Sequence, residues 1–151
     1  MKLINSAILF SILFFSFLFV GCDNSDSVTP SENHFEAAGY IIKNEADSTV
    51  FKVLKGQVDN LIAESFTLMF ADGSQIYSIE FLDENGDNIS VPDEEHTLLF
   101  EMEDNTFANF NITEWMININ LLKVGKTNFR IQILHEGHPD FTSPYVPMEI
   151  K

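Results

Sequence analysis

Three of the four histidines have the residue types and spacing best suited to chemistry. His135 and His138 stand in the order His-x-x-His-x-Asp, which Asp140 completes, and His34 lies at the threshold of the first apolar segment, with Glu36 just after it. Neutral imidazoles and a carboxylate are donors that Zn²⁺ or Cu²⁺ accepts. A plainer alternative stands beside this one: His135 ends a strand, His138 precedes Pro139 in a turn, and both are solvated. The spacing fixes a shared face on a helix but not in a loop. His34, His135, His138 and Asp140 are therefore the metal-ligand expectation, and Zn²⁺ or Cu²⁺ is the cofactor they suggest.

The segment Asp83-Glu84-Asn85-Gly86-Asp87-Asn88 places side-chain oxygens at alternate positions, with Glu94 at the twelfth place, as in a calcium loop. Its glycine is fourth rather than sixth, and its flanks read as strands rather than helices. A hairpin turn accounts for the same residues. Nucleophilic catalysis has little to stand on, since the chain has no G-x-S-x-G elbow and no glycine-rich phosphate loop. Carboxylate pairs stay open among 23 acids, because spacing along the chain does not give distance in space. Trp115 opens an alternating segment and reads as a core or edge anchor. The expectation is a protein that is not an enzyme.

The elements that must position these residues have period two. Trp115, Ile117, Ile119 and Leu121 alternate with Met116, Asn118 and Asn120. A strand puts the apolar set on one face, whereas a helix would scatter it. Phe129, Ile131 and Ile133 repeat the pattern, as do Phe66, Leu68 and Phe70, and Tyr77, Ile79 and Phe81. Further strands are expected over 35–43, 49–55, 97–103, 107–112 and 145–150. Asp72-Gly73, Asp83–Asp87 and Lys123–Lys126 supply turn chemistry between strands. Val58–Ser65 and Pro92–Glu95 have room for a helical turn or two and no more. The fold class is all-β: an antiparallel sandwich of 7–9 short strands.

The first 22 residues differ in kind. Lys2 is followed by an apolar stretch, Leu3–Val20, broken only by Asn5, Ser6, Ser11 and Ser16, and it ends Phe19-Val20-Gly21-Cys22. This ending resembles the lipobox of bacterial lipoproteins, with Phe19 where leucine is usual. The resemblance implies cleavage before Cys22, diacylglycerol on its thiol and often an acyl chain on its amine. Each buried CH₂ contributes about 0.8 kcal/mol, and more than one chain is needed for a stable anchor. An uncleaved membrane anchor and a plain secretory signal are the competing readings. Asp23–Asn33 is polar and nearly free of hydrophobes, which predicts a disordered tether spanning roughly 18 Å. The expected division is a signal peptide over 1–21, a lipidated tether over 22–33 and a sandwich over 34–151.

Two C-terminal stretches add further resemblances. Trp115–Ile119 with Val124-Gly125-Lys126-Thr127-Asn128-Phe129-Arg130-Ile131 is similar to the last hairpin of bacterial Ig-like domains. That likeness implies an Ig-like sandwich whose last strand runs parallel to its first, which would bring His34 toward 135–144. Ile133–Pro144 resembles the tail of an uncharacterised group of small bacterial envelope lipoproteins.

Charge limits the partners. The chain carries −15, and from Cys22 onward −16, because Lys2 is the only charged residue before it. Such acidity repels nucleic acid and anionic headgroups. With Cys22 as the single cysteine, there is no disulfide framework and no cysteine-based zinc site. The sequence thus predicts a lipid-anchored, non-catalytic envelope protein that meets membrane lipid through Cys22 and a protein or cell-surface partner through its sandwich. A metal-binding envelope domain is the alternative.

Overall fold

Alternating apolar residues close a strand's inner face, and two such faces must bury one another. The computed structural model describes residues 35–90 and 95–151. The leader, Cys22, the 23–33 segment, His34 and Glu94 lie outside the described residues. Strands β1 (Gly39–Asn44), β2 (Thr49–Leu54) and β3 (Gln57–Val58) are followed by β4 (Phe66–Leu68) and a 3-10 turn at Phe70–Asp72. Then come β5 (Gln75–Leu82), β6 (Asn88–Ile89), β7 (His96–Met102), β8 (Ala108–Thr113) and β9 (Met116–Leu121). The chain ends with β10 (Gly125–His135), β11 (His138–Thr142) and β12 (Val146–Ile150).

They form two sheets. One runs in the order β3-β2-β1-β5-β9-β8, with β6 also on β5. The other is organised on the long strand β10, which pairs with β7 along one edge and with β12 and β11 along the other, while β4 adds beyond β12. Setting aside the two-residue β3 and β6 and counting β11 and β12 as one interrupted strand leaves nine, so the expected all-β sandwich holds. Between the sheets lie Tyr40, Ile42, Phe51 and Ile119 from one side and Phe66, Phe100, Phe129 and Ile131 from the other, all buried. Phe51 meets Phe66 and Phe129 across the layer at centroid distances of 6.0 and 5.8 Å. Burying each such ring contributes about 2–3 kcal/mol. At Gly39 the two strands approach so closely that a Cβ would stand 2.2 Å from the Val53 carbonyl oxygen.

Four expectations change. Asp72-Gly73 does not close a hairpin: β4 and β5 belong to different sheets, and Gly73, at φ 70, turns the chain across the sandwich. Lys123–Lys126 likewise connects β9 in one sheet to β10 in the other, so the Ig-like final hairpin does not form. Turn residues report that the chain reverses, not that the flanking strands pair. Phe70 does not continue the Phe66 and Leu68 face but lies exposed in the 3-10 turn. Finally, the last strand pairs in parallel with β4, and the first strand lies in the other sheet. The Asp83–Asp87 segment does join paired strands, with Phe81 opposite Ile89.

Candidate functional site

β7 begins and β10 ends at the same place. Along β7 the inward positions are His96, Leu98, Phe100 and Met102; along β10 they are Phe129, Ile131, Ile133 and His135. Antiparallel register sets His96 opposite His135. The two histidines thus continue two core stripes at one end of the sandwich, and their rings stack with centroids 4.5 Å apart and planes 12° from parallel.

Asp140 arrives by a bulge. After the two-residue turn Glu136-Gly137, with φ values of 49° and 84°, β11 pairs back on β10. Leu134 is opposite Pro139 and Ile133 is opposite Phe141, which leaves Asp140 as the extra residue. A bulge re-aims a side chain out of the alternation. Here it turns the carboxylate inward: Asp140 Oδ2 lies 3.2 Å from His96 Nε2 and 4.0 Å from His135 Nδ1. It also accepts the backbone N–H of Phe35 at 3.0 Å. The side chains of Asp140, His96 and His135 are only 2%, 5% and 18% exposed. A carboxylate this deep must be paired, hydrogen-bonded or metal-bound to repay its desolvation. On the solvent side, Glu95 Oε2 stands 3.5 Å from His135 Nε2. Beneath the site, Phe81 makes edge contacts with Phe35, Trp115 and Phe141, an apolar floor that keeps the local dielectric low. Trp115 is partly buried against the core, as the sequence suggested.

The structure therefore joins two of the expected ligands, His135 and Asp140, and supplies a partner the sequence reading left out, His96. One donor atom from each of the three lies within 4.8 Å of the others. His138 opens β11 across from His135 but is exposed and stands outside this cluster. His34 is beyond the described residues, although its neighbour Phe35 reaches Asp140. A signal for His96 was present: it extends the stripe Leu98, Phe100, Met102 by one step, just as His135 extends Phe129, Ile131, Ile133. What could not be read was that β7 and β10 pair.

Beside the site a cleft of about 660 Å³ opens between the 35–38 segment, Asp83–Asn85 and Asp140. Its acids are structural in part. Asp83 Oδ1 accepts the amides of Asn85 and Asp87 at 2.8 and 3.0 Å. Those amides, Asp87's first, hold its carboxyl below the usual range. Asp83, Asn85 and Asp87 thus form a hydrogen-bonded turn, the hairpin reading of this segment.

No family model matches the chain, and no curated protein matches it. Among solved structures, it is similar to a crystal structure of domains 4 and 5 of the S-layer protein SbsC, at 11% identity and a TM-score of 0.38. That match covers 57% of this chain and 46% of the other, so the chain spans less than half the length of that structure.

Proposed function

We propose that this chain is a lipid-anchored protein of the bacterial cell envelope whose acidic β-sandwich binds or supports rather than catalyses. The observation that carries the reading is the end of the leader, where an apolar stretch stops at Val20-Gly21-Cys22 and polar residues follow at once. A small residue before the cysteine admits a peptidase, and acyl chains on Cys22 give a durable anchor. Residues 23–33 have the polar composition of a tether, and the first strand begins within a few residues of their end. Binding falls to the loops at one end of the sheets, where a rigid scaffold presents variable side chains. The partner is a protein or another cell-surface component that tolerates an acidic face. Nucleic acid is a poor one.

The test is to express the full chain in a bacterial host fed an alkyne-bearing fatty acid, then separate membrane from soluble material. Wild-type chain is expected to carry the label and partition into detergent, and Cys22→Ala is expected to lose the label and remain at precursor mass. A wild-type chain without label, or a label indifferent to Cys22→Ala, overturns the reading.

A further inference from the structure

We infer that His96, His135 and Asp140 form a site for a divalent cation of the zinc class, with Glu95 as the carboxylate that positions His135. The site stands apart from the anchoring just proposed and does not depend on it. Four observations converge on it. The donors are two imidazoles and one carboxylate, the set that borderline metals select and that calcium and magnesium do not. Their donor atoms are gathered within 4.8 Å although they come from three strands. Ligands on a tetrahedral zinc, at metal–ligand distances of about 2.0–2.1 Å, sit about 3.3 Å apart. His96 Nε2 and Asp140 Oδ2 already stand 3.2 Å apart. Finally, Glu95 faces the ring nitrogen of His135 opposite the one turned toward Asp140. That is the carboxylate–histidine–metal order by which an outer carboxylate fixes tautomer and ring orientation.

The geometry also says how the site loads. Nearly parallel rings aim their in-plane lone pairs within two separate planes, so no single ion meets both while the stack persists. His135, the least buried of the three and one residue from the hairpin turn, is the ring that must turn, and the exposed Glu95 side chain turns with it. Loading swings the His135 ring out of the stack and draws Nδ1 in from its 4.0 Å distance to Asp140. The three side chains then leave a fourth position for water or an external ligand, the arrangement of open rather than closed zinc sites.

The experiment is calorimetric titration of the full chain, in detergent and stripped with a chelator, using ZnCl₂, CoCl₂ and CaCl₂ separately. Zinc is expected to bind one to one, with Co²⁺ giving visible ligand-field bands and Ca²⁺ no stoichiometric heat. His135→Gln and Asp140→Asn should weaken zinc on the order of 100-fold or more, and Glu95→Gln about tenfold, while His138→Ala leaves it unchanged. Should a variant fail to fold, the wild-type chain still decides. One equivalent of Zn²⁺ must shift the proton resonances of two of its four histidines. Absence of stoichiometric zinc heat, loss of binding on His138→Ala, or zinc that leaves the His96 and His135 resonances in place overturns the inference.

Discussion

Tyr40 is wholly buried between the sheets, yet its hydroxyl has no hydrogen-bond partner among the described residues. Burial pushes its phenol well above the usual tyrosine range, against a smaller opposing pull from Ser143. Burial, with the charge of Asp72 adding to it, pushes Tyr77 up to about 12. A folded pKa above the unfolded one means that the protonated phenol is preferred in the native state. The stability this contributes is complete below the ordinary value of 10.0 and, for Tyr77, is lost as pH rises toward about 12. An unpartnered buried hydroxyl costs free energy at any pH. Tyr40→Phe is therefore expected to gain about 1 kcal/mol at neutral pH and to flatten the alkaline loss of stability. Urea midpoints of both proteins, repeated across the alkaline range, check this. A destabilised Tyr40→Phe would mean that the hydroxyl is bonded through Ser143 after all.

At the scale of the element, one side of β10 carries the irregular pairing. β11 and β12 lie along one side of it, broken at Ser143-Pro144, where proline cannot donate. Ser143 repairs the ladder, its amide donating to the Ile131 carbonyl at 2.9 Å and its hydroxyl accepting the Ile131 amide at 2.9 Å. The serine is buried, so removing its oxygen strands a donor away from water. Ser143→Ala is expected to cost about 1–3 kcal/mol with no change in the denaturant slope, and to speed hydrogen exchange at Ile131. Unaltered exchange at that amide would show the hydroxyl to be dispensable. The same edge bears the Asp140 bulge, so one irregular strand both repairs its hydrogen bonding and aims a carboxylate.

For the molecule as a whole, the surplus of acid is the dominant long-range term. Several cations are already engaged: Lys43 with Glu80 at 2.8 Å, Arg130 with Glu101 at 2.7 Å and Lys126 with Glu149 at 3.4 Å. Such surface pairs contribute little individually. What remains is self-repulsion at a net charge of −15, which salt screens. Raising NaCl from about 20 to about 300 mM is expected to raise the midpoint of thermal unfolding by several degrees. A midpoint that does not move, or falls, would show that local ion pairs outweigh the net charge.

The sequence by itself determined most of the residues that face the core, with Phe70, exposed in the 3-10 turn, as an exception. Alternation at Ile117, Ile119 and Leu121, or at Phe129, Ile131 and Ile133, is a local property, because successive side chains of a strand must point to opposite faces. The turn at Asp83 was legible for the same reason, since its carboxylate caps amides only two and four residues away. Two of the three residues of the candidate site, His135 and Asp140, were legible too. Tertiary structure alone decided which strands pair. Every backbone offers the same donors and acceptors, so no residue type names its strand's partner. The Asp72-Gly73 and Lys123–Lys126 segments, alike as turns, therefore proved to cross between sheets. That undetermined choice set β7 beside β10, and with it His96 across from His135, 39 positions away along the chain.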